Sequence, residues 1–329
     1  MLDWTRHAAF AIATALVVAC LTLAPPAAAQ STLKWAHVYE TSEPYHTWAL
    51  WAADEFAKRT DGRYKIEVFP ASSLGKESDI NEGLGIGTVD IIYTGQLFAG
   101  RTYGPVAIGG APYMFRDFAH WQKFRDSDLF QELANGYLDA SGNHIVALTY
   151  YGERHVTSNK KIEKPEDMQG LKIRVPDAPL YMMFPKAVGA NPTPIAFAEV
   201  YLALQQGVVD AQENPLPTIE AKKFFEVQDY IVLTGHITDA LLTIIGGPTW
   251  EAMEQADRDV LVGLMQEAAG NCTQDIVKKE QELVQGFRDR GKEVLEVDRT
   301  PFREAVVEVH MGPDATWDQG VYDRLQALQ

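Results

Sequence analysis

One short unit, a helix followed by Gly-x-Val-Asp and a strand, occurs twice in this chain of 329 residues. The first copy lies at residues 87–90 (GTVD) before an apolar run, and the second at residues 207–210 (GVVD) after a helical pattern. Strands that alternate with helices are typical of a mostly parallel sheet covered by helices. We therefore expect two α/β lobes of similar construction. The alternative is chance recurrence of a common connection between a helix and a strand.

The chain length also favours two lobes. Removing a leader of residues 1–29 leaves 300 residues, more than one hydrophobic core normally holds. The longest helical pattern runs from Thr249 to Arg290. At about 1.5 Å per residue, such a helix would exceed about 50 Å and would span both lobes. Gly270 is a plausible bend within it.

Residues 1–29 have the composition of a secretory signal peptide. Arg6 supplies positive charge, Ala8 to Leu23 is mostly apolar, and small residues before Ala29 offer a cleavage site. A membrane anchor is disfavoured because the apolar run is short and ends at a Pro-Pro pair. Lipidation at Cys20 is the other alternative, because the residues before it resemble a lipobox. We expect cleavage after Ala29 and a periplasmic protein.

Charge and motifs exclude several classes of function. The net charge of −16 argues against nucleic acid as a partner, since phosphate binding needs a basic face. Glycines 83, 85 and 87 follow a helix and precede a strand, the reverse of a dinucleotide-binding fingerprint. Hydrolase, metalloprotease and phosphate-loop motifs are absent from the sequence, and its histidines lack metal-ligand spacing. We expect no enzyme activity, no cofactor and no metal.

Two arginines are the main candidate binding residues. Arg174 lies in an alternating run of apolar and charged residues that Pro176 ends, and Arg154 follows a predicted strand from Val146 to Tyr151 and a turn at Gly152. The planar guanidinium matches a carboxylate with two parallel hydrogen bonds, which an ammonium does not. From the pattern alone, a solvated position at the edge of a strand is the other interpretation.

These arginines lie in a stretch that closely resembles the solute-binding proteins of tripartite ATP-independent periplasmic (TRAP) transporters. The resemblance is carried by GERHVTSN (152–159), EDMQGLKIRVP (166–176) and PIAFAEVYLALQQGVVDAQENPLP (194–217), and it extends from about Thr32 to the last helix. It implies a two-lobed α/β periplasmic-binding-protein fold with a ligand cleft between the lobes, crossing strands and a long bridging helix. Lobe I would comprise residues 32–151 and about 240–278, and lobe II residues 152–239 and about 279–329.

The resemblance also implies roles for single residues. Arg174 would grip the carboxylate of an organic acid, with Arg154 as a second ligand contact. Asn214 of the QENP motif would contact the carboxylate or adjacent hydroxyls, although a turn residue that caps the next segment is the alternative. Phe197 lines the pocket in sialic-acid-binding relatives, and Glu77 aligns with an acidic position there.

Weaker candidates come from two strand ends, where ligands bind in open α/β sheets. The loop from His37 to His46 is rich in hydrogen-bonding side chains, and we count His37 and Glu40 as possible contacts to ligand hydroxyls; a solvated turn is the alternative. Sialic-acid-binding members carry an acidic residue where this chain has Gly95-Gln96. Gln96 is therefore a candidate contact in a pocket of different shape, and sialic acid is in doubt.

We therefore expect a binding protein that captures a sugar acid, with a hexuronate such as glucuronate or galacturonate as the preferred ligand, and delivers it to a TRAP membrane permease. A C4-dicarboxylate or sialate is the alternative within the family. A periplasmic hydrolase and a sensory partner of a membrane receptor are the alternatives from other classes. Nothing in the sequence requires more than a monomer.

Overall fold

The computed structural model of the protein describes residues 30–328, so the predicted cleavage after Ala29 and lipidation at Cys20 lie outside the described residues. The strands in this range are β1 (Ser31–Ala36), β2 (Tyr64–Phe69), β3 (Ile91–Gly95), β4 (His144–Ser158), β5 (Lys172–Val175), β6 (Asn191–Pro194), β7 (Ala211–Pro215), β8 (Tyr230–Ile245) and β9 (Glu293–Leu295). The α-helices are α1 (Pro44–Arg59), α2 (Glu77–Gly85), α3 (Gln96–Ala99), α4 (Phe118–Arg125), α5 (Asp128–Ser141), α6 (Met183–Ala187), α7 (Val200–Gln205), α8 (Leu216–Ala221), α9 (Gly247–Ala252), α10 (Gln255–Asp289), α11 (Thr300–Val307) and α12 (Gln319–Gln326).

Two long strands, β4 and β8, pass through both halves of the molecule. The strand order is β2-β1-β3-β8-β4-β7-β5-β6, and β9 pairs with β8. In one half, β3 pairs with residues 241–245 of β8. In the other half, β7 pairs with residues 154–158 of β4. Hydrogen bonds thus connect all nine described strands, and the two halves are α/β lobes joined by crossing strands, as the resemblance implied.

The middle of β4 differs from the sequence prediction. The chain does not turn away at Gly152 but continues as a strand to Ser158, antiparallel to β8, with a register shift between Tyr150 and Gly152. Gly152 has a φ of +118°, and a Cβ there would lie 2.7 Å from the carboxylate of Glu280. A bulge that needs glycine replaces the predicted turn.

Helix α10 packs along both lobes. Its 35 residues correspond to about 50 Å, and it contacts α1 and β4 on one side and α8 and β9 on the other. Ala268 and Cys272 of its apolar stripe belong to the core around β1–β3, whereas Leu283 and Phe287 belong to a separate core around α7 and α8. The helix begins after Thr249 because Met253 is extended and separates it from the short helix α9.

None of the helices between residues 30 and 328 is both long and apolar enough to cross a membrane.

Candidate functional site

A cavity lies where the two lobes meet the crossing strands. Its volume is about 30 Å³. Its wall combines side chains from both lobes and from β4 and β8. The residues that matter below are Tyr39, Glu77, Phe98, Tyr151, Arg154, Arg174, Asp177, Tyr181, Phe197, Asn214 and Asp239.

Arg174 points a buried positive charge into this cavity. It lies on β5, is 1% exposed, and donates from Nε to the carbonyl oxygen of Ile195 at 2.9 Å. Within residues 30–328 it forms no salt bridge, and its Nη1 atom has no hydrogen-bond partner. Burial, together with the like charge of Arg154, lowers the pKa of Arg174 to about 10, against a smaller opposing effect of Glu213. A buried cation with free donors is the arrangement that a carboxylate ligand would complete.

Arg154 is equally buried but is already neutralised. Its Nε and Nη2 atoms donate to the two carboxylate oxygens of Glu213 at 2.5 and 2.8 Å, and its Nη1 donates to Asp239 at 2.9 Å. Burial alone would raise the pKa of Glu213, but the guanidinium of Arg154 lowers it to about 2. Arg154 therefore forms part of the cavity wall, and most of its donors are committed to the protein.

Asn214 lies beside Arg154, and Phe197 lies beside Arg174. The Asn214 side-chain oxygen accepts from Arg154 at 3.2 Å and from the Tyr151 hydroxyl at 3.3 Å. The ring of Phe197 lies 5.9 Å from the Arg174 guanidinium, a distance at which a cation and an aromatic face attract. Both predicted residues line the cavity with Arg174.

Glu77 supplies a carboxyl group from the other lobe. It begins helix α2, and its Oε1 accepts from the Gly95 amide at 2.8 Å and from the Thr94 hydroxyl at 2.9 Å. Burial raises its pKa to about 7, although these two hydrogen bonds oppose the shift. Near neutral pH, Glu77 can therefore accept from or donate to a ligand hydroxyl.

Three predicted site residues lie outside the cavity wall. His37 is 1% exposed and shares a 3.2 Å hydrogen bond with His46, and burial lowers its pKa to about 3. Glu40 forms a 2.7 Å salt bridge with Lys222, which joins the first lobe to α8. Gln96 is fully buried because β3 leads directly into α3, where its amide packs against Gly109.

Sequence reasoning missed Asp239 and Tyr181 of the cavity wall, and Glu213, the buried salt-bridge partner of Arg154. Glu213 directly precedes Asn214 in the motif, so its position was a usable signal. Asp239 lies in the middle of β8, and Tyr181 in a short 3-10 helix, Pro179–Met182, with no local pattern to mark either. Among residues 30–328, no group of three or more His, Cys, Asp or Glu side chains is arranged to hold a metal ion.

The fold and the cavity together define a two-lobed solute-binding protein whose site holds a buried guanidinium. The chain belongs to the bacterial extracellular solute-binding proteins of family 7 (DctP), whose family model matches residues 35–312. It is a TRAP-type solute-binding protein of a transport system and not an enzyme.

Individual relatives agree over nearly the whole chain. The sialic acid-binding periplasmic protein SiaP of Vibrio cholerae is 33% identical over 315 residues, covering 95% of this chain and 98% of that protein. A TRAP periplasmic solute-binding protein from Polaromonas sp. JS666, solved with D-erythronate, has a TM-score of 0.87 and 33% identity over 91% of this chain and 99% of that one. Another from Citrobacter koseri, solved with D-glucuronate, has a TM-score of 0.86 and 25% identity over 91% of this chain and 100% of that one.

Proposed function

We propose that this protein captures a sugar acid, preferably a hexuronate such as glucuronate or galacturonate, and delivers it to a TRAP membrane permease. The observation that carries the proposal is the contrast between the two buried arginines. Arg154 is paired with two carboxylates, whereas Arg174 has no salt bridge within the described chain. A ligand carboxylate at Arg174 would recover the charge-assisted hydrogen bonds that the protein itself does not provide.

The other polar groups of the cavity favour hydroxyls over a second carboxylate. Glu77, Asp177 and Asp239 all line the cavity, and each accepts hydrogen bonds from a hydroxyl when ionised. Asp239 is already paired with Arg154, but a second ligand carboxylate beside Asp177 or an ionised Glu77 would meet like charge in a site with little water, which is unfavourable. This supports a sugar acid over a C4-dicarboxylate. The D-glucuronate and D-erythronate bound by the two solved relatives are both hydroxylated acids.

The proposal includes hinge closure of two lobes around the ligand. Lobe I comprises residues 32–151 and about 240–278, and lobe II residues 152–239 and about 279–329. The bulge at Gly152 lies at this boundary, and the Glu40–Lys222 salt bridge joins the two sides. The ligand binds the closed form more tightly than the open form, because only in the closed form does it contact Arg174 and Glu77 at once. Ligand binding therefore shifts the equilibrium towards the closed form.

Location and partners follow from the same assignment. The V. cholerae relative and the two solved relatives are described as periplasmic, and residues 1–29 have the composition of a signal peptide. We therefore place this protein in the periplasm as a monomer that exchanges its ligand with a TRAP permease.

A ligand panel tests the proposal. Thermal unfolding and calorimetry would compare D-glucuronate, D-galacturonate, aldonates, sialate and succinate on the mature protein and on Arg174→Met. We expect a uronate to stabilise the mature protein by about 2.7 kcal/mol at a hundredfold excess over Kd, and to be recovered unchanged. Arg174→Met should lose this stabilisation. Stabilisation by succinate or malate with no response to any sugar acid would refute the uronate assignment.

A further inference from the structure

The end of strand β3 leaves a space that a tyrosine from the other lobe fills. Gly95 has no side chain, and a Cβ added to it would lie 2.8 Å from the hydroxyl oxygen of Tyr181 and 3.8 Å from Glu77 Oε1. The Tyr181 hydroxyl therefore stands directly over the backbone of Gly95. Any larger residue at position 95 would have to displace this tyrosine.

Tyr181 is held firmly in that position. It is 6% exposed, the Arg154 guanidinium lies 5.2 Å from its ring centre, and the ring of Phe98 lies 6.0 Å away. Both neighbours also line the cavity. Because it is enclosed on both sides in this arrangement, Tyr181 forms a wall of the cavity.

The position of Tyr181 in the chain ties this wall to the proposed carboxylate clamp. Its 3-10 helix follows β5, which carries Arg174, after a short connection. The clamp and the wall therefore belong to the same proposed lobe and lie only a few residues apart in the chain. The cavity is narrow in this arrangement, with a volume of about 30 Å³.

We propose that Tyr181, standing over Gly95, is a specificity-determining residue that limits the size of the ligand. By closing the Gly95 end of the cavity, it disfavours the longer chain and the acetamido group of a nine-carbon sialic acid relative to a six-carbon hexuronate. This inference rests on the proposed function, because it assumes that the ligand carboxylate lies at Arg174. The size limit itself is a separate property of the Gly95–Tyr181 contact.

Calorimetry with D-glucuronate and N-acetylneuraminate on three variants tests the size limit. Tyr181→Ala removes the wall, and the ratio of the sialate Kd to the glucuronate Kd should fall at least about tenfold, the discrimination that one misfitting methylene provides in a closed pocket. Tyr181→Phe keeps the ring and should keep the wild-type ratio. If Tyr181→Ala does not fold, Tyr181→Leu replaces it, because leucine removes less volume. The ratio of the sialate Kd to the glucuronate Kd should fall in this variant as well.

A rescue experiment tests the contact between the two residues. Gly95→Ala places a methyl group against the Tyr181 oxygen, so it should weaken glucuronate binding several-fold, because a buried overlap forces both lobes to shift. Adding Tyr181→Phe removes that oxygen and should restore much of the affinity. An absence of rescue would contradict the contact.

The outcomes separate the two proposals. If the wild type binds glucuronate and the Kd ratio stays within about threefold in Tyr181→Ala and Tyr181→Leu, the size limit is refuted and the proposed function stands. If the wild type binds sialate as tightly as glucuronate, the size limit is also refuted. If the wild type binds no sugar acid, the proposed function fails and the size limit falls with it.

Discussion

Replacing Arg174 by methionine removes the positive charge from the cavity while keeping most of the apolar volume of the side chain. The bound carboxylate would then be enclosed by two lobes with no cation to pair with it. Leaving one partner of a buried ion pair alone costs about 3–5 kcal/mol. At about 1.4 kcal/mol per factor of ten, Arg174→Met should weaken ligand binding by about two to three orders of magnitude or more.

The same substitution should not destabilise the ligand-free protein. Burial lowers the pKa of Arg174 to about 10, so the charged form is held in the fold at a cost. Its hydrogen bond to Ile195 and its contact with the ring of Phe197 are the interactions that are lost. The urea midpoint of the ligand-free variant should therefore equal or exceed that of the wild type, although most buried substitutions lower it.

Two matched variants make the measurement specific. Arg174→Lys keeps the charge but loses the planar fork, and should recover part of the affinity. Lys172→Met removes a cation from the exposed side of the same strand and should bind like the wild type. Calorimetry on the folded variants decides the question. Wild-type affinity in Arg174→Met, or an equal loss in Lys172→Met, would refute the clamp.

Three further predictions concern the surroundings of the cavity. Arg154→Met should lower the free energy of unfolding of the ligand-free protein by about 3–5 kcal/mol, because it leaves two buried carboxylates without their partner; an unchanged urea midpoint would contradict this. Glu40→Gln should weaken ligand binding no more than about fivefold, since its partly exposed salt bridge with Lys222 is worth about 1 kcal/mol at most; a hundredfold loss in calorimetry would make Glu40 a ligand contact instead. Burial raises the pKa of Glu280 from 4.5 to about 7, so its contribution to stability is present below the lower value and is lost as the pH rises through the higher one. The free energy of unfolding of Glu280→Gln should therefore rise relative to that of the wild type by up to about 1.4 kcal/mol per pH unit across that interval. Glu282→Gln, at an exposed site of the same helix, should show no such rise. Parallel curves of unfolding free energy against pH for the wild type and Glu280→Gln would refute this prediction.

Local patterns were enough to predict most of the secondary structure. The repeated helix–Gly-x-Val-Asp–strand unit and the long helical pattern of α10 each depend on a few neighbouring residues; the unit forms at both places, and α10 forms within the predicted range. The length of β4 was not predictable in the same way. Gly152 is a turn signal in isolation, and it becomes a bulge because β8 continues to pair on either side of it.

The different states of the two arginines could not be read from the sequence. Arg154 and Arg174 both lie on strands, and both were predicted to bind the ligand. The carboxylates that neutralise Arg154 lie 59 and 85 positions further along the chain, at Glu213 and Asp239. The fold alone brings them together.

The carboxylates around Arg154 also determine how much positive charge a ligand would meet. Two unpaired guanidinium groups in one cavity would repel each other, and Arg154 already contributes to the lowered pKa of Arg174. Glu213 acts in the opposite direction and favours the charged form of Arg174. A carboxylate ligand at Arg174 would therefore meet one guanidinium whose charge is still available. Because a transport protein has to release its ligand as well as bind it, a single available guanidinium suits the proposed role better than two.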